Sequence, residues 1–102
     1  MGPQVGRSRF RITAEQSGSK YNLVLVWRYE NPGGIRTGKA VIATYEDQET
    51  ATRLASMVMR SREAMRIGKE LRLLVAIKDD KSRESTIAEH VRKIVSEIGV
   101  PV

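Results

Sequence analysis

Arg7, Arg9 and Arg11 recur at every second residue near the start of the chain. In an extended strand that spacing sets three guanidinium groups on one side, about 6.6 Å apart. Such a ladder can follow a phosphate backbone, because each guanidinium is permanently charged and its fork of donors matches phosphate oxygens. Arg28, Arg36 and Lys39 form a second basic group, and Tyr29 beside them offers a ring on which a base can stack. Both features have a plainer role to weigh. Alternating charge also protects an edge strand from aggregation, and Tyr21, Trp27 and Tyr29, which share one strand face, also suit burial under a helix.

Other chemistry has less to stand on. His90 is the only histidine and sits at the margin of an apolar helical stripe, with no Ser or acid placed near it by a recognisable motif. Asn31-Pro32-Gly33-Gly34 is followed by a strand pattern, so it lacks the helix dipole that makes glycine-rich loops bind phosphate. Asp79-Asp80 ends an expected interior strand just before a helix, a position where carboxylates can hold a divalent ion. Two such residues alone hold Mg²⁺ poorly, so helix capping is the preferred role. Cysteine is absent, which removes disulfides and thiolate metal sites. No metal, cofactor or catalytic residue is therefore assigned.

The element that must position the basic groups is a hairpin from Tyr21 to Tyr45. Tyr21 to Tyr29 is rich in β-branched and aromatic residues. Leu23, Leu25 and Trp27 fall on one face while Val24 and Val26 make the other apolar too, which predicts a central strand. Pro32 and Gly33 suit the second and third positions of a tight turn, with positive φ at Gly33. The returning arm sets Val41, Ala43 and Tyr45 on one face, and Ala40, Ile42 and Thr44 on the other. Arg7 to Thr13 predicts a strand with a basic face, and Ala14 to Ser19 a loop.

After Tyr45 the apolar period becomes helical. Asp47 is the expected N-cap, with Glu46 and Glu49 at the positive end of the dipole. Ala51, Leu54, Ala55, Val58 and Met65 fall on one apolar stripe. Arg62 and Arg66 break it, so the helix either outruns the sheet or bends near Ser61, and Gly68 is the expected stop. Leu71 to Lys78 alternates as a fourth strand. Ser82 then caps a last helix with the stripe Ile87, Ala88, Val91, Ile94, Val95 and Ile98, ended by Gly99 and Pro101. Glu89 with Lys93, and Lys93 with Glu97, are expected pairs on its wet side. The fold class expected is α+β: a four-stranded mixed sheet in the order β-β-β-α-β-α with two helices packed on it. Residues 1–6 are expected as a disordered lead to a single domain over 7–102.

The net charge of +6 is unevenly placed. Residues 1–44 hold seven Lys/Arg against Glu15 and Glu30, whereas the remainder balances eleven against ten acids. A basic sheet half attracts polyanions, nucleic acid the commonest. No apolar run approaches the roughly 20 residues of a membrane span, and the first residues lack a signal-peptide core. No membrane partner and a cytoplasmic location are expected.

The element order, with Tyr21 to Tyr45 as second and third strands, Asp47 to Ile67 as first helix and Leu71 to Asp80 as a strand ending in an acid, resembles the first two-thirds of a ribonuclease H-like domain. Residues 8 to 98 lie over that pattern. The resemblance implies a degenerate, non-catalytic member. Where the family has an Asp after its first strand this chain has Thr13-Ala14-Glu15, and where it has a Glu in its first helix this chain has Ala51-Thr52-Arg53-Leu54. Only Asp79 or Asp80 matches. The three strands and first helix also resemble, more loosely, the arm-site DNA-binding domain of tyrosine integrases.

These readings converge on a small nucleic-acid-binding protein without chemistry of its own, DNA and RNA left open, using Arg7, Arg9, Arg11, Arg28, Tyr29, Arg36 and Lys39. A protein-interaction module or homodimer that pairs through an exposed strand or helix face stands second. A metal-dependent nuclease stands third, because two-metal hydrolysis needs several carboxylates clamping both ions and an Arg among them repels metal. Purified protein with Mg²⁺ or Mn²⁺ should accordingly leave RNA–DNA hybrids uncut. Cleavage that disappears in the Asp79→Asn, Asp80→Asn double variant would promote the nuclease to first place.

Overall fold

The computed structural model describes residues 7–75 and 80–102. Along the chain come β1 (Arg7–Ser17), β2 (Lys20–Asn31), β3 (Gly34–Tyr45), α1 (Gln48–Arg60), α2 (Ala64–Leu74) and α3 (Asp80–Ile98). The strands form one antiparallel sheet in the order β1-β2-β3, so the doubly apolar strand is the central one. The architecture is α+β, but the expected four-stranded mixed sheet with two helices is corrected to a three-stranded antiparallel sheet and three helices among the described residues.

The correction turns on Leu71 to Leu74, which read as alternating strand and is the last turn of α2. Ile67, Leu71 and Val75 are each fully buried, four residues apart, whereas Leu73, which a strand would have buried, is 72% exposed. Short apolar runs satisfy both periods. Here the helix-forming Met65, Arg66, Lys69, Glu70 and Leu71 decide for the helix. Gly68, taken as a helix stop, lies inside α2. The rest of the expected strand, residues 76–78, and Asp79 lie outside the described residues, as does the expected lead at 1–6.

Of the two alternatives at Ser61 the structure has the bend. Ser61 takes φ −74° and ψ 158°, and both its backbone N–H and its hydroxyl donate to the Val58 carbonyl, at 3.1 and 2.7 Å. Its side chain thus competes with the next helical hydrogen bond and ends α1. Asp47 caps α1 as expected. Its carboxylate accepts from the Thr50 hydroxyl at 2.7 Å and the Thr50 N–H at 3.1 Å, and these bonds hold its pKa below the usual carboxylate value. Ser82 lies within α3, which starts at Asp80. Gly99, with φ +100°, ends that helix at the expected place.

Both sheet turns are two residues long. β1 runs on to Ser17, so most of the expected loop at 14–19 is strand, and Ser17 pairs with Lys20 around Gly18-Ser19. At the other end Asn31 pairs with Gly34 around Pro32-Gly33. The positive φ there belongs to Gly34, at +137°, and not to Gly33.

All three helices pack on one face of the sheet. α1 lies over β1 and β2, α3 against β3, and α2 against α3 and β1. Leu23, Leu25 and Trp27 of β2 meet Leu54, Val58, Ile67, Leu71, Ile87, Val91 and Ile94 in one core. A bulge modifies the alternation of β3: Leu23 pairs with Ala43 but Val24 with Val41, leaving Ile42 as the extra residue. Ala40 and Ile42 are buried on the core side, and the bulge brings Ala43 and Tyr45, of opposite parity, to that same side, while Val41 turns outward.

Trp27 lies flat on Gly38, its cross-strand partner; a Cβ there would sit 2.4 Å from Trp27 Cζ2. Its Nε1 is buried without a hydrogen-bond partner, the one such side-chain nitrogen or oxygen among the described residues.

Two glycine substitutions should therefore act in opposite directions. Gly38→Ala overpacks the indole and should cost about 1–3 kcal/mol. Gly68→Ala sits in an ordinary helix interior, where the new Cβ meets Phe10 Cε1 at 3.5 Å, and should stabilise by about 0.4–1 kcal/mol. Val91→Ala, at a fully buried position, should cost about 1–3 kcal/mol. Denaturant midpoints measure all three; an unchanged midpoint for Val91→Ala would contradict the packing of α3.

Candidate nucleic-acid interface

The sheet face opposite the helices is open, and its residues follow from strand register. Arg9, Arg28 and Thr37 stand side by side on β1, β2 and β3; Arg11, Val26 and Lys39 form the next rung, then Thr13, Val24 and Val41. Arg7, Glu30 and Ile35 align beyond the first rung. A shallow depression of about 450 Å³ lies over the first two rungs, lined by Arg9, Arg11, Val26, Arg28 and Thr37, with Phe10 and Trp27.

Two acids share this face, and each is paired. Glu30 accepts from Arg28 Nε at 2.8 Å, and Glu15 from Lys39 Nζ at 2.8 Å. The line from Lys39 on β3 to Glu15 on β1 crosses β2 at Val24, which is only 2% exposed although it faces outward. The aliphatic stem of Lys39 suits that position. Arg9 and Arg11 are exposed and have no ion pair among the described residues. Arg9 also faces Arg28 directly across the strands, a like-charge pair that destabilises a sheet in the absence of an anion.

The structure therefore brings Arg9, Arg11, Arg28 and Lys39 together, with Arg7 at the next alternate position of β1. It sets Tyr29 and Arg36 apart. These two are cross-strand partners on the helix-facing side. Tyr29 packs against the core, and Arg36 Nη1 donates at 3.1 Å to the carbonyl of Val75, just past the end of α2. There it satisfies one of the carbonyls that every helix end leaves free, and its charge suits the negative end of the dipole. Val26 and Thr37 line the depression and were not singled out from sequence. Their signal was available in the period of two, since Thr37 lies two residues from Lys39 and Val26 two from Arg28.

Several cations outside the sheet face have structural partners of their own. Arg92 Nε and Nη2 donate to the carbonyls of Ile42 and Val41, at 3.0 and 2.9 Å, tying α3 to the β3 bulge. Glu97, expected as a partner of Lys93, is taken by Arg66 of α2, and the bonds to Glu97 and Glu63 raise the Arg66 pKa. Lys93 has no ion pair among the described residues. His90 Nδ1 lies 3.3 Å from Glu70, joining α3 to α2. Asp80 opens α3, and among the described residues no group of three or more His, Asp or Glu is placed to hold a metal ion. No helix among the described residues is long and apolar enough to cross a membrane. Comparison of the chain with protein families, curated proteins and solved structures finds no match.

Proposed function

We propose that the protein binds nucleic acid through the open face of its sheet and performs no chemistry on it. The observation that carries this reading is the Arg9–Arg28 rung with Arg11 and Lys39 beside it, on a face that no helix among the described residues covers. Like charges held opposite one another cost stability. A polyanion removes that cost, and each phosphate neutralised releases condensed counterion, which drives binding. Arg9 and Arg11 are free to make such contacts at once. Lys39 exchanges an exposed carboxylate for phosphate, a small loss because exposed pairs contribute little. Arg36 and Tyr29 contribute by holding α2 and the core in place rather than by contact.

A second reading rests on the apolar part of the same face. Ile35 is 59% exposed and Val41 44%, with Val26 half-buried between the strands that carry them. A protein partner, or a second copy of the chain, would cover these.

Salt dependence separates the two. Binding of the parent protein to nucleic acid should weaken steeply with salt. Arg9→Gln with Arg11→Gln should lower the slope of log K against log salt by about two units, at ~0.9 per phosphate on duplex DNA. Lys93→Gln, on the outer side of α3, should leave it unchanged; Arg92 is unsuitable as a control because it ties α3 to β3. A double variant that keeps the parent slope would make the β1 ladder an edge-protection device. A parent that binds no nucleic acid at low salt would give the face to a protein partner.

A further inference from the structure

The geometry points to duplex DNA, entered through its major groove, as the ligand of the open sheet face, with Arg28 as the residue that contacts base edges; this rests on the nucleic-acid reading above. The first observation is where the aromatic residues lie. The chain has five: Phe10, Tyr21, Trp27, Tyr29 and Tyr45. Strand register puts all of them on the helix-facing side, where Trp27 is buried and Phe10, Tyr29 and Tyr45 pack against the core. Phe10 and Trp27 reach the lining of the depression, but none of the five is exposed, so the basic face offers no open ring on which to stack an unpaired base. Proteins that hold single strands without sequence preference depend on such platforms as well as on charge.

The second observation is the placement of charge across the sheet. Neighbouring strands lie about 4.8 Å apart, so β1 and β3 are about 10 Å apart. The B-form major groove is about 12 Å wide. Arg9 and Arg11 on β1 and Lys39 on β3 thus stand over opposite phosphate walls when the sheet lies along the groove. Arg28, on the central strand between Arg9 and Thr37, points at its floor. Arginine there donates in fork geometry to guanine O6 and N7, and the neighbouring Val26 offers an apolar contact to a thymine methyl. Glu30, 2.8 Å from Arg28 Nε, orients the guanidinium before binding. The major groove of an A-form RNA duplex is too deep and narrow for side chains to read.

The experiment measures the full chain by fluorescence anisotropy at low salt on a 20-base-pair DNA duplex, the RNA duplex of the same sequence, and each DNA single strand. A randomised DNA duplex pool is selected in parallel and sequenced. The DNA duplex should bind at least tenfold tighter than either comparison ligand, and the selected pool should be enriched in guanine at a fixed position. Arg28→Lys keeps the charge but not the fork. It should flatten that enrichment while preserving the parent's salt slope. Single strands bound as tightly as duplex would overturn the duplex assignment, and RNA duplex bound equally would overturn the groove. Unchanged enrichment in Arg28→Lys would remove Arg28 from base contact. Failure of the parent to bind any of the ligands would instead refute the nucleic-acid reading beneath the inference.

Discussion

One-sided burial of the central strand is the constraint on which the other features depend. Leu23 and Leu25 are fully buried and Trp27 nearly so, all beneath the helices. Side chains alternate along a strand, so a slip of one residue would exchange these three with Val24, Val26 and Arg28. That exchange would bury a guanidinium without a partner and expose an indole. Register is therefore fixed by β2. Once it is fixed, the residues of β1 and β3 opposite Arg28 and Val26 have no choice of side. The basic face is a by-product of the core in this sense: the same alternation that hides Leu25 presents Arg11 and Lys39.

The cations of this chain do two kinds of work, and charge alone does not sort them. Arg36 and Arg92 each reach a backbone carbonyl, one beyond α2 and two at the β3 bulge. Arginine suits this because its donors are spread over a plane on a long stem. Arg66 joins α2 to α3 through Glu97. These contacts hold the helix layer together over a sheet whose other side is left uncovered. Four of the remaining sheet cations, Arg9, Arg28, Arg11 and Lys39, stand in two adjacent rungs.

The sheet was largely legible in the sequence. Alternation gave β1 its basic side, the doubly apolar β2 its central place, and Asp47 with Gly99 two helix ends. The helical layer was less so. Gly68 looks like a stop because glycine commonly follows a helix, yet nothing in its neighbours forces positive φ, and helix formers on both sides carry α2 through it. Leu71 to Leu74 fits two periods, and the helix formers before it, together with the partner surface of α3 and β1, decide between them. The bulge at Ile42 was also hidden, since consecutive apolar residues fit either face until register is known. Tyr29 and Arg36 were grouped with Arg28 and Lys39 by nearness in sequence, although parity alone puts Tyr29 with Trp27. Arg36 needed the hairpin turn, because the residues between Asn31 and Gly34 set which side of β3 each number takes.

The solitary tryptophan has a spectroscopic consequence. Trp27 is 2% exposed, packed on Gly38, and its Nε1 has no acceptor. An indole in such apolar surroundings emits at shorter wavelength than one in water, and its ring proton exchanges only when the core opens. It is also among the residues that line the depression, with Arg9 and Arg28. At 2% exposure its ring offers a ligand on the open face no surface to stack on, so a change in its emission reports a change in how the indole is packed. The molecule thus has a built-in optical probe that distinguishes docking on a rigid sheet from docking that deforms it.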